Sequence, residues 1–207
     1  MSNTSTIFYN TVSKANPEEI KEKGSKFIGY AVHVSTKEEV KTVLEEWRNE
    51  HSGANHVCYA YRLGMEGEDY RYSDDGEPSN SAGAPIYGQL LAFDLTYTLI
   101  GVVRYFGGTK LGVGGLKSAY KLAAKAVLEK AEITQKEVHQ HLELLMSYED
   151  MPGVMTYLKR QRMEILETEM TDKCRLVVET SVEDDGKDII AQLFECKSLE
   201  INLLGIY

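Results

Sequence analysis

Between Arg104 and Ser118 the chain reads Arg-Tyr-Phe-Gly-Gly-Thr-Lys-Leu-Gly-Val-Gly-Gly-Leu-Lys-Ser, with five glycines in nine positions. Glycine at that density is costly in regular structure and marks a place where the backbone must turn sharply or approach something closely. Before it, Tyr97–Tyr105 is a run of β-branched and aromatic residues that predicts a strand; after it, helical spacing begins near Gly115-Leu116 and continues past Val127. The predicted order is therefore strand, glycine loop, helix. Backbone N–H groups at such a helix start carry about half a positive charge, and Arg104, Lys110 and Lys117 add full ones. Gly107, Gly108, Gly112, Gly114 and Gly115 would let a phosphate, a carboxylate or a nucleic-acid backbone come close. The plainer alternative is a tight crossing that needs small residues only for packing.

Two nucleotide motifs do not fit. A Walker loop would require glycines where Leu111 and Leu116 stand, and a dinucleotide fingerprint starting at Gly112 would require a third glycine where Lys117 stands. No dinucleotide and no other cofactor is expected.

A second unusual segment, Ser73-Asp-Asp-Gly-Glu-Pro-Ser-Asn-Ser-Ala-Gly-Ala-Pro85, packs three carboxylates and two prolines between a predicted strand and a predicted helix. Asp74, Asp75 and Glu77 could act as acid and base or hold a hard cation, and Ser79 and Ser81 could cap the helix that follows. A solvated turn is the competing reading. His56 is a candidate base, although a lone histidine entering a strand is more often structural. His139 and His141 share a strand face without an evident third ligand, so no metal site is expected. Lys26, in Lys23-Gly-Ser-Lys26, adds local positive charge.

Around these segments, Thr36 and Glu39 form a capping box ahead of Val40, Val43, Leu44 and Trp47 at helical intervals. Phe27–Val34, His56–Tyr61 and Asp69–Tyr72 read as strands, and Ala82-Gly-Ala-Pro85 opens a short helix. Ile133–Glu137 reads as a polar connector. Beyond it, strands at 138–146, 163–170, 173–181 and 199–207 and helices at 152–161 and 184–194 make a split βαβ pattern. The expected domains are 1–134 and 138–207.

Residues 1–137 hold 16 Lys and Arg against 18 Asp and Glu, and residues 138–207 hold 7 against 14. The net charge of −9 thus falls mostly on the second domain, which disfavours wholesale coating of nucleic acid but leaves room for a local basic patch in the first. No stretch approaches the roughly 18 apolar residues needed to span a bilayer, and three scattered cysteines suggest no disulfide framework, so a cytoplasmic location without membrane contact is expected.

Taken together, Lys23-Gly-Ser-Lys-Phe27, Asn55-His56, Asp75-Gly-Glu-Pro78, Ala82-Gly83 with Pro85, Arg104-Tyr-Phe-Gly-Gly108, Leu111-Gly112, Gly114-Gly-Leu116 and Ala119-Tyr120 resemble a bacterial member of the YigZ/IMPACT family. The resemblance implies an α+β chain of two domains. The first would be a ribosomal-protein-like two-layer α/β sandwich, the second a ferredoxin-like βαββαβ plait similar to the last domain of elongation factor G. It also implies a link to translational control, which eukaryotic members exert by competing for the activator of a stress-responsive kinase. Departures are Asn80-Ser81, where the family commonly has Gly-Thr, and Ser118, where it commonly has arginine.

Three functions follow as expectations. The first is a non-enzymatic, translation-linked protein whose first domain uses Lys26, His56, Arg104, Lys110 and Lys117 around the glycine loop to bind RNA or a ribosome-associated partner. The second is a hydrolase on a phosphorylated or peptide-like substrate, with Asp74, Asp75, Glu77 and His56 as catalytic groups. The third is an adaptor that meets a basic partner through the acidic second domain.

Overall fold

The computed structural model describes residues 8–181 and 196–206. The chain is α+β and divides into two compact units, Tyr9–Lys136 and a second built from Glu137 onward.

In the first unit the elements in chain order are β1 (Phe8–Lys14), β2 (Glu18–Glu22), β3 (Ser25–His33), α1 (Lys37–Glu50), β4 (His56–Leu63), β5 (Asp69–Ser73), α2 (Gly83–Ala92), β6 (Thr98–Tyr105), α3 (Gly112–Lys130) and β7 (Glu132–Glu137). Five strands form an antiparallel sheet in the order β2-β3-β6-β4-β5, and β1 pairs with β7 in a separate ribbon. Alternation along the strands sends Phe27, Ala31, Cys58, Ala60, Ile100 and Val102 to a core shared with α2 and α3. The opposite set, Ile28, Val57, Tyr59, Leu99 and Val103, meets Val40, Leu44 and Trp47 of α1. Beyond the two layers expected, α1 therefore covers the other sheet face. Its start is the predicted capping box: the Glu39 N–H donates to Thr36 Oγ1 at 3.2 Å, and the Glu39 carboxylate accepts from the Ser35 N–H at 2.8 Å.

Ile133–Glu137, expected as a connector, lies within β7, whose strand partner β1 is rich in polar residues and gave no alternating signal. Thr11 anchors β1 instead, with its hydroxyl 3.0 Å from the Tyr97 carbonyl, 3.1 Å from Thr98 Oγ1 and 2.9 Å from His33 Nδ1.

The second unit contains β8 (His139–Met146), α4 (Met151–Gln161), β9 (Glu164–Met170), β10 (Cys174–Ser181) and β11 (Glu200–Ile206), with all sheet neighbours antiparallel in the order β11-β8-β10-β9. Leu142, Leu144 and Met146 of β8 pack with Val154 and Leu158 of α4 and with Leu176 and Val178 of β10. The helix expected at 184–194 lies outside the described residues. Among the described residues, no helix is long and apolar enough to cross a membrane.

Candidate functional site

Strand register brings the unusual segments of the first unit to one end of its sheet. Phe27 and His56 both pair with Arg104, so the start of β3, the start of β4 and the end of β6 lie side by side. The turn before β3 then presses on the turn after β6. A side chain on Gly107 would place its Cβ 1.9 Å from the Gly24 backbone, so that contact exists only because both positions are glycine. Ser25 Oγ accepts from the Gly107 N–H at 3.2 Å, Asn55 Oδ1 accepts from the Phe106 N–H at 2.8 Å, and the Asn55 N–H donates to the Arg104 carbonyl at 2.9 Å.

Arg104, expected to hold an external anion, turns inward. It is 5% exposed, and its Nη1 donates to Glu77 Oε1, whose side chain is itself 4% exposed. The Tyr120 hydroxyl donates to the same oxygen at 2.8 Å, and His56 Nε2 lies 3.9 Å from it. His56 Nδ1 donates to the Asp75 carbonyl at 2.7 Å, which fixes the ring. A desolvated guanidinium needs a carboxylate, and the Asp74–Glu77 segment delivers one from the neighbouring loop. Lys26, partly exposed, pairs with Glu19 at 2.7 Å, and its hydrogen bond holds that carboxyl below the usual range.

The carboxylates expected to do chemistry are each engaged in the fold. Asp74 accepts backbone N–H bonds from Asn80 at 2.7 Å and from Ala82 and Gly83 at 2.8 Å, which makes it the cap of α2. Ser79 and Ser81 do not cap this helix; Ser81 Oγ is buried without a hydrogen-bond partner. Asp75 accepts from the Val57 N–H at 2.7 Å and from Arg48 at 3.3 Å. Asn80 sits at φ 57°, in the left-handed region that glycine and asparagine tolerate best. The Cys58 thiol donates to the Asp74 carbonyl at 3.0 Å, and burial pushes its pKa well up, so it stays a neutral thiol. Burial raises the Tyr120 hydroxyl in the same way, with Cys58 and Glu77 adding to the effect.

Sequence reasoning assigned no role to Ser25, Arg48, Cys58 or Tyr120. Ser25 and Tyr120 stand within the quoted motifs, which was the only available signal; the roles of Arg48 and Cys58 come from tertiary packing alone.

The other face of this corner points outward. Phe106 is 46% exposed, and Lys23, Lys110 and Lys117 are exposed; among the described residues none of the three lysines is ion-paired. The helix begins earlier than its periodicity suggested, so Gly112, Gly114 and Gly115 form the first turn of α3 and the connecting loop shrinks to residues 106–111. Leu111 makes no side-chain cap, and the first turn has no acidic residue. A Cβ at Gly114 would touch nothing, and its φ does not require glycine, so neither packing nor conformation explains it.

In the second unit, His139 Nδ1 and His141 Nε2 lie 3.6 and 3.4 Å from the carboxylate oxygens of Glu179. Among the described residues no group of three or more ligating side chains is arranged to hold a metal.

The Impact N-terminal domain model matches residues 23–128, which hold every segment that converges on this corner. YigZ of Escherichia coli is 34% identical over 143 residues, 68% of this chain and 69% of that protein. The chain belongs to the IMPACT family. YvyE of Bacillus subtilis is 36% identical over 130 residues, 63% of this chain and 60% of its own length. Protein IMPACT homolog of Saccharomyces cerevisiae is 29% identical over 112 residues. Among solved structures, one described as a hypothetical protein matches 96% of this IMPACT-family chain and 98% of its own, with a TM-score of 0.75 at 26% identity.

Proposed function

We propose that this protein is a translation-linked regulatory protein that binds rather than catalyses, and that its first domain docks on RNA or a ribosome-associated partner through the outward face of the glycine segment. The link to translation comes through the family. The observation that carries the docking surface is the pairing pattern: Arg104 and His56 are engaged internally and Lys26 is held in a surface ion pair, whereas Lys23, Lys110 and Lys117 are exposed without ion pairs in the same segments as the open backbone of Gly108, Gly112 and Gly114. Free cations beside exposed N–H groups fit an anionic polymer. Against hydrolysis stands the engagement of Asp74, Asp75 and Glu77 by backbone, arginine and tyrosine donors.

The test is cosedimentation with bacterial ribosomes at increasing salt. Reversing Lys110 and Lys117 to glutamate should release the protein at lower salt while leaving its unfolding midpoint unchanged. Retention equal to wild type contradicts the reading, as does turnover of a phosphatase, nuclease or peptidase substrate that is lost on changing Glu77 to Gln in a folded variant.

A further inference from the structure

We propose that Phe106 is a stacking platform for an unpaired nucleobase, which makes single-stranded RNA the ligand class of this surface; the inference rests on the docking reading above and narrows it. Single exposed apolar side chains are ordinary on a protein surface, so what singles out Phe106 is how it is held and what backs its ring. Phe106 is 46% exposed, yet its position is held: its N–H is bonded to Asn55, and the next residue is wedged against Gly24.

The Arg104 guanidinium carbon sits over the Phe106 ring, 5.5 Å from its centroid, and also 5.4 Å from the centroid of the fully buried Phe27. One guanidinium thus lies over both a buried ring and an exposed one, backed by the Glu77 ion pair. A base laid on Phe106 would extend that stack, with cation–π attraction already acting on the ring. Lysines lie close by in sequence and turn contact: Lys23 precedes the glycine that meets Gly107, Lys110 is four residues beyond Phe106, and Lys117 stands on α3.

An aromatic face for the base combined with lysines for the phosphates is the arrangement by which proteins hold single strands without sequence preference. A duplex offers no free base faces to such a ring. A protein partner would gain little from three unpaired lysines unless it were itself acidic.

The experiment is fluorescence anisotropy with a labelled, mixed-sequence RNA of about 12 nucleotides, single-stranded and annealed to its complement, with ribosome cosedimentation run in parallel. Wild type should prefer the single strand. Phe106→Ala should weaken it roughly 5- to 100-fold without changing the salt slope, and Phe106→Trp should restore it. Phe106→Leu, which keeps apolar bulk, separates stacking from folding and should remain weak. Equal binding of strand and duplex, or full affinity in Phe106→Ala, overturns the proposal. Ribosome association by a wild type that ignores free RNA overturns it too and leaves the docking reading standing, whereas absence of both removes the two together.

Discussion

The Asp74–Glu77 segment and the Phe106–Gly115 segment are equally unusual in composition and meet the same end of one sheet, but one has its charges paired and the other leaves them exposed. The first turns all of its carboxylates onto the protein: Asp74 onto three backbone donors, Asp75 onto Val57 and Arg48, and Glu77 onto Arg104 and Tyr120. The second leaves its aromatic ring, its lysines and three of its glycines open. A dense polar motif can thus be scaffold, and the segment it holds in place can be the working surface. Satisfaction of hydrogen bonds separates the two cases, and composition does not.

The largest effect that would break this contrast is at the ion pair. Glu77→Leu strands a buried guanidinium and should cost about 3–5 kcal/mol in urea unfolding, while Glu77→Leu with Arg104→Met should recover most of the loss. A nearly neutral Glu77→Leu would mean the segment is not scaffold. Next comes Asp74→Ala, which removes three charge-assisted hydrogen bonds, two of them at the start of α2, and should cost roughly 2–3 kcal/mol with little effect on RNA or ribosome binding. Loss of binding in a stable Asp74→Ala variant would reverse the assignment of the two faces.

Gly114→Ala probes the opposite side. Alanine favours a helix over glycine by roughly 0.5–1 kcal/mol, so the variant should be slightly more stable and bind more weakly. Gain of stability with unchanged binding would return Gly114 to an accident of sequence. Smallest is a pH effect remote from both segments. Burial, helped by nearby Lys136, lowers the His33 pKa, so the fold favours the neutral ring that bonds Thr11. Stability from this site is complete above about pH 6.5, the unfolded value, and declines as pH falls toward the lower folded value. His33→Gln should flatten that acid-side decline in the melting temperature of the first unit, and an unaltered profile would place its cause elsewhere.

Much of the architecture was legible because it rests on local rules. The capping box at Thr36 and Glu39, the alternation in β10 and the strand-glycine-helix order after Tyr97 each announce themselves within a few residues. β1 and β7 were missed because polar strands in a small ribbon carry no alternating pattern, and β1 is held through the Thr11 hydroxyl. The early start of α3 was missed because glycine has low helix propensity, which tertiary contacts override.

The site was legible as a set of segments and illegible in its orientation. Nothing local says that Arg104 prefers Glu77, 27 residues away, to a ligand. That choice follows from burial, which only the folded sheet decides. For the same reason Phe106 has no local signature, since its exposure over the guanidinium is decided by the fold.

Binding at the outer face depends on the charge left unpaired there. The most direct measurement is the salt dependence of ribosome and single-stranded RNA binding for wild type and for a variant with Lys23, Lys110 and Lys117 changed to alanine. Each phosphate-contacting lysine removed should lower the slope of log affinity against log salt by roughly 0.7, with the unfolding midpoint unchanged. An identical slope and affinity in the triple variant would contradict the account.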